Sequence, residues 1–248
     1  MGSSGAWVDL GYGPRWSPGF RHALARSVAR LLVLPFFRLK IEGMENLPRG
    51  SSVVCINHLS WMDPIVLLAA MASDPPLYFF GPREPDMDVG FRNRLMRWAG
   101  KAVPVQPDKR DIVRAVRRVD ALMESRATLA IAGEGNIHVG ESSIRELSDG
   151  PAFFALRTGV PVVPVAINGT SWLGFGRRIR VRIGEPVATA GLDRRRDIPS
   201  VTAEVRRRLA ALVADFPDQP PPGPRWRQIT ELFNDWPEGS RPELPGEE

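Results

Sequence analysis

Short apolar runs that alternate with amphipathic stretches constrain this chain more than any other feature. The runs at 38–42, 52–56, 77–80, 128–132, 162–167 and 179–183 are four to six residues long. All but the first are rich in β-branched or aromatic side chains, the mark of a buried strand, while Arg38-Leu39-Lys40-Ile41-Glu42 alternates charged and apolar residues as a strand does. Helical spacing fills the intervals at 64–71, 89–98, 112–123 and 152–158, and again at 201–213. Strands alternating with helices predict an α/β fold: a mixed, largely parallel central sheet flanked by helices on both faces. At 248 residues, 43% hydrophobic and 25% charged, the chain is long enough to bury one large core.

Its two ends read differently. Residues 1–18 form an N-terminal tail, 19–215 the folded domain and 216–248 a Pro-rich C-terminal tail whose run Gln219-Pro220-Pro221-Pro222-Gly223-Pro224 cannot bury enough apolar surface to fold alone. Trp226, Ile229, Leu232, Phe233 and Trp236 could still dock as a short helix. Met1-Gly2-Ser3-Ser4-Gly5 has neither the charged start nor the apolar core of a secretory signal. No stretch reaches the roughly 18 to 20 apolar residues of a membrane span. Within 19–37, leucines and phenylalanines oppose Arg26 and Arg30, so this segment fits either a helix lying in a membrane interface or one packed on the protein's own core.

Composition narrows the partners without choosing among them. Thirty-three basic residues against 28 acidic give +5 and a pI near 10.1, which favours an anionic surface, a phosphorylated ligand or nucleic acid. No aromatic-basic recognition motif or zinc spacing supports nucleic acid. Cys55 is the one cysteine, so no intrachain disulfide forms; in an apolar strand it reads as a buried hydrophobe. With His22, His58 and His138 scattered, no metal site is expected.

The chemistry concentrates at Asn57-His58-Leu59-Ser60-Trp61-Met62-Asp63-Pro64. An imidazole and a carboxylate five positions apart follow the 52–56 strand, and Asp-Pro is a helix-start signal. Five positions apart on one helix, the two side chains would not face each other, so their contact requires a loop that turns. A general base held by an acid is the active reading. A helix-capping Asp63 beside a polar loop histidine is the plain one.

This string resembles the first motif of the glycerolipid acyltransferases, the 1-acylglycerol-3-phosphate acyltransferase family, whose signature is Asn-His, four residues and Asp. Three further blocks follow in the family's order. Phe80-Gly81-Pro82-Arg83-Glu84 leads to Gly100-Lys101-Ala102-Val103-Pro104-Val105; Ile131-Ala132-Gly133-Glu134-Gly135 matches the Pro-Glu-Gly core; Gly159-Val160-Pro161-Val162-Val163-Pro164-Val165 matches the last block. The resemblance spans roughly residues 30 to 190. The arginine that ordinarily follows the third block is absent, with Asn136-Ile137-His138 in its place, and the one expected after Val105 is displaced to Lys109 and Arg110. Trp236-Pro237-Glu238-Gly239-Ser240-Arg241 spells the third block but follows no predicted strand, so we assign that role to Glu134-Gly135.

The resemblance implies acyl transfer from acyl-CoA or acyl-carrier protein to the free hydroxyl of a lysophospholipid, with no other cofactor. It implies His58 as general base and Asp63 as its orienting partner. Asn57, Arg83, Glu84, Lys109, Arg110, Glu134 and Gly135 become substrate-binding candidates, with Glu134 on the acceptor headgroup and Gly135 permitting close backbone approach. Backbone N–H groups at the helix opened by Asp63-Pro64, or in the turn at 133–135, are candidates for the oxyanion. The implied partners are an anionic phospholipid surface and the two lipid substrates, at the cytoplasmic side of the plasma membrane. A different acceptor lipid, or a non-catalytic lipid binder of the same fold, stays open.

Overall fold

A computed structural model describes residues 18–72, 74–83, 94, 98–105, 109–138, 140–234, 241, 243 and 244. Seven strands form one sheet in the order β1-β7-β6-β2-β5-β3-β4. They are β1 (Phe37–Glu42), β2 (Ser52–Ile56), β3 (Leu77–Arg83), β4 (Ala102–Val105), β5 (Thr128–Ala132), β6 (Val162–Asn168) and β7 (Arg177–Ile183). β6, β2, β5, β3 and β4 run parallel, whereas β7 pairs antiparallel with β6 and carries β1 alongside in its own direction. The mixed, largely parallel sheet matches the sequence expectation.

β2 is the central strand, and its pairing with β5 and β6 leaves both of its faces inside. That is why Ser52 to Ile56 reads as an unbroken apolar run rather than an alternating one. Successive side chains serve opposite cores, as strand geometry demands. Val53 and Cys55 join one cluster with Leu129 and Ile131; Val54 and Ile56 join the other with Val163 and Val165. The first cluster is capped by α3 (Lys109–Glu124), α4 (Gly150–Thr158) and α5 (Ile198–Val213), and the second by α1 (Pro18–Val33) and α2 (Asp63–Ala70).

One strand went unassigned in the sequence. Ala102–Val105 forms it, and Pro104 is tolerated because β4 is an edge strand with one partner only. At the Pro-rich end the short helix left open by the sequence does form: it is α6 (Pro224–Asn234), and Trp226 and Phe233 pack against the second cluster. The helix expected at 89–98 falls mostly outside the described residues. Among the described residues no helix is long and apolar enough to cross a membrane.

Candidate active site

Parallel strands deliver the loops after β2 and β5 to the same end of the sheet, where open α/β sheets hold their ligands. The loop after β2 begins by prolonging the ladder. Asn57 is fully buried, and its side-chain amide donates from Nδ2 to Ile167 O (2.9 Å) while Oδ1 accepts from Ile167 N (2.7 Å). It behaves as one more strand residue. Both polar atoms are occupied by backbone, so the structure gives Asn57 a framework role where a substrate contact was expected.

The chain then turns, and Asp63 reaches back instead of forward. It opens α2 without capping that helix. Its Oδ2 accepts from Leu59 N (2.8 Å) and Ser60 N (3.0 Å) and lies 2.9 Å from His58 Nδ1. Oδ1 accepts from the Thr170 hydroxyl at 2.6 Å. Four partners on a carboxylate with no exposed surface fix its position tightly. Because Asp63 accepts, the bridging proton belongs to Nδ1, which leaves Nε2 of His58 as a proton acceptor. The imidazole keeps 15% of its side-chain surface exposed and meets the Trp61 ring edge to face at 6.0 Å between centroids.

Every backbone amide of the loop from His58 to Asp63 is engaged. His58 N donates to Glu134, Leu59 N and Ser60 N to Asp63, Trp61 N to Asn234, Met62 N to the Ser60 hydroxyl and Asp63 N to Ser60 O. Gly133 N and Gly135 N donate to Ile56 O and Ala132 O. Of the amides expected to receive an oxyanion, those of Asp63, Val66, Gly133 and Gly135 already have acceptors, which narrows the expectation to Ile65 N and Glu134 N.

The turn after β5 is built around Glu134. Gly133 has no room for a Cβ, which would sit 2.6 Å from Cys55 Sγ and 2.9 Å from Leu147 Cδ2. Gly135 needs the left-handed backbone (φ 74°), while the space around it is open; conformation, not close approach, explains the glycine. Glu134 points inward with its side chain 1% exposed. One oxygen accepts from Arg145 N (2.7 Å); the other accepts from His58 N (3.2 Å) and lies 2.8 Å from His138 Nδ1. Expected on a lipid headgroup, Glu134 instead ties the loop after β5 to the backbone of His58.

His138 is sealed beneath it, with its side chain wholly buried and Nε2 at 3.2 Å from Ser143 O. Burial alone would lower its pKa, but hydrogen bonding and charge from Glu134 carry it above the usual value. Sequence reading counted His138 only as one of three scattered histidines. Its four-residue offset from Glu134 was the available signal. Thr170, 107 positions from Asp63, gave none.

A third buried carboxylate meets the residues on either side of Thr170. Glu141, fully buried, accepts from Gly169 N and the Asn168 side-chain amide, and its pKa is pushed up to about 7, chiefly by burial, with the Asp63 charge adding. Cys55 is no nucleophile: burial pushes its thiol up to about 12. Arg83 ends β3 and Lys109-Arg110 open α3, so their backbones reach the same end of the sheet as His58; their side chains and all of Glu84 lie outside what is described. Residues 236–240 of the C-terminal copy of the third block lie there too.

Comparison with known proteins agrees with this geometry. A family model described as Acyltransferase matches residues 38–168. A chloroplastic 1-acyl-sn-glycerol-3-phosphate acyltransferase of Brassica napus is 28% identical over 159 residues, 63% of this chain and 44% of that protein. Its counterpart from Arabidopsis thaliana is 29% identical over 157 residues, covering 61% and 42%. The chain thus spans less than half the length of these two relatives. A crystal structure of the 1-acyl-sn-glycerophosphate acyltransferase of Thermotoga maritima superposes with a TM-score of 0.60 at 22% identity, covering 80% of this chain and 82% of that one, which shows a shared fold. The matched segment takes in more than half of the 248 residues, from β1 through the His58–Asp63 loop to the end of β6, and on that ground this protein belongs to the acyltransferase family.

Proposed function

We propose that this protein transfers a fatty acyl group from a thioester, acyl-CoA or acyl-carrier protein, to the free hydroxyl of a lysophospholipid, foremost 1-acylglycerol-3-phosphate, giving phosphatidic acid. The observation that carries the reading is the 2.9 Å contact between His58 Nδ1 and an Asp63 carboxylate immobilised by three other donors. Nε2 of His58 takes the hydroxyl proton as the oxygen attacks the thioester carbonyl; the C–S bond then breaks and the imidazolium gives the proton to the departing sulfur, releasing thiol and ester. Asp63 holds the tautomer and stabilises the imidazolium that forms. The lipid alcohol is itself the nucleophile, so no acyl-enzyme is required, consistent with the raised Cys55 pKa. Charge developing on the carbonyl oxygen is met by the amides of Ile65 or Glu134, and the charge of the phosphate by the cationic side chains of Arg83, Lys109 and Arg110.

How lipid reaches the site follows from strand direction. β1 and β7 run antiparallel to β6, so their first residues stand at the same end of the sheet as Asn168 and the His58 loop. That end carries Leu31 (70% exposed), Leu32, Leu34, Phe36 and Phe175 (71%), the last two ring edge to face. On α1 the residues turned inward are His22, Ala25, Ala29 and Val33, while Leu31 and Leu32 face out. Large apolar side chains outside and small ones inside favour a membrane-interface role over simple core packing. The protein then works as a peripheral membrane enzyme, placed at the cytoplasmic face. Flotation with vesicles of anionic phospholipid should carry wild-type protein upward and leave a Leu31→Asp, Phe175→Asp variant behind; equal flotation of both refutes this docking.

The catalytic reading is tested by thiol release from acyl-CoA in the presence of the lysolipid. His58→Ala should cut turnover by on the order of 10²-fold or more; wild-type turnover in that variant rejects it. Asn136, where the family pattern places Ser or Thr before an arginine, favours one second reading: the same chemistry on another lysolipid or glycolipid acceptor. A panel of acceptors separates the two.

A further inference from the structure

The segment after α5 lies beyond the 38–168 stretch matched by the family, yet it touches each loop around His58. Phe216 is buried under the Arg182 guanidinium, 4.7 Å from its ring centroid. Next, Pro217 O accepts from the Asn168 side-chain amide (3.0 Å) and Asp218 Oδ1 from Glu141 N (2.7 Å). α6 follows, anchored by Trp226 and Phe233 on the core.

Its two buried polar side chains explain its placement. Thr230, with no exposed surface, donates to Trp226 O (2.8 Å) and accepts from Leu173 N at 3.0 Å. Asn234, 1% exposed, accepts from Trp61 N through Oδ1 at 3.1 Å. Leu173 stands three residues past Thr170, which holds Asp63, and Trp61 lies between His58 and Asp63 while its ring abuts the imidazole. Strip this segment away and the amides of Trp61, Leu173 and Glu141 lose their acceptors, an outcome buried backbone strongly resists.

We propose that residues 216–234 are a strap belonging to the catalytic unit, in which Thr230 and Asn234 are positioning residues that set the loops bearing His58 and Thr170. The strap acts through backbone: it touches neither substrate nor the imidazole. Small displacements suffice, since a reacting group moved by about 1 Å loses roughly 10²-fold in rate. The inference rests on the base role proposed for His58.

The test uses the full chain in two conservative pairs, Thr230→Val with Thr230→Ser and Asn234→Ala with Asn234→Asp. Thr230→Val and Asn234→Ala should each lower kcat about tenfold with KM for the thioester changed less than about twofold, and should speed hydrogen exchange at Leu173 N and Trp61 N respectively. Ser and Asp, which retain the acceptor oxygen, should restore both readouts. Wild-type kcat in the Val and Ala variants overturns the proposal, as does rapid exchange of both amides in the wild type, a measurement that needs no variant to fold. Exchange is read without turnover, so full activity in His58→Ala would remove the base assignment while the amide protection still reports on the strap.

Discussion

Two histidine–carboxylate pairs stand in adjacent loops of this protein, and their difference in access is what suits only one of them to the proposed role of base. His58 and Asp63 meet at 2.9 Å after β2; His138 and Glu134 meet at 2.8 Å after β5. Their spacing is nearly equal and their access is opposite. His58 keeps part of its side chain exposed, whereas His138 is fully buried with its second nitrogen against Ser143 O. One pair has a nitrogen left for chemistry; the other has both committed to structure. Glu134 joins the two, since the oxygen facing His138 also accepts from His58 N. The inner pair therefore supports the outer one.

Several measurements would break or sharpen this contrast. The largest effect is expected from His58→Ala, which should lose 10²- to 10⁴-fold in kcat at unchanged melting temperature. Asp63→Asn should come next, roughly 10²-fold down, because the amide presents a donor to Nδ1 and favours the wrong tautomer. It should also melt earlier, as two loop amides and Thr170 depend on this carboxylate. His138→Phe should invert the pattern, costing about 1 to 3 kcal/mol of stability by stranding a buried carboxylate while the folded enzyme keeps kcat within about tenfold. A hundredfold loss of kcat in well-folded His138→Phe would show that the inner pair takes part in chemistry.

The smallest effect concerns pH. His138 and Glu141 both bind their proton more tightly in the folded chain than in the unfolded one, Glu141 near 7 and His138 above the ordinary histidine value. Each thus contributes stability that is complete below its unfolded pKa and is lost as pH rises through its folded pKa. Between about pH 5 and about pH 8 the melting temperature of the wild type should therefore fall relative to that of Glu141→Gln, while buried His22, its pKa lowered to about 4, pulls the opposite way equally in both. Identical slopes in the two proteins would contradict the assignment to Glu141. Activity need not follow, as both groups are buried.

Much of this was legible beforehand for a physical reason. An unbroken apolar run, β-branching and the Asp-Pro helix start are local signals, so β2, the turn and α2 were read in place from Ser52 to Ala70. β4 was missed because four residues containing a proline carry little periodic information. Asn57 and Glu134 were noticed as polar residues at the right places. Their roles went astray because residue type does not reveal which way a side chain turns: Asn57 faces β6, and Glu134 faces the loop that carries His58.

By itself the sequence determined the succession of elements, the burial of the central strand on both faces and the presence of an imidazole and a carboxylate on one turning loop. The tertiary structure alone decided which histidine is open, that Thr170 holds Asp63 and that the Pro-rich end straps the site. The contacts that settle these points join residues 76, 107 and 173 positions apart. Local patterning encodes dihedral preference and burial, but a hydrogen bond between distant residues exists only once the sheet has assembled and brought both loops to one end.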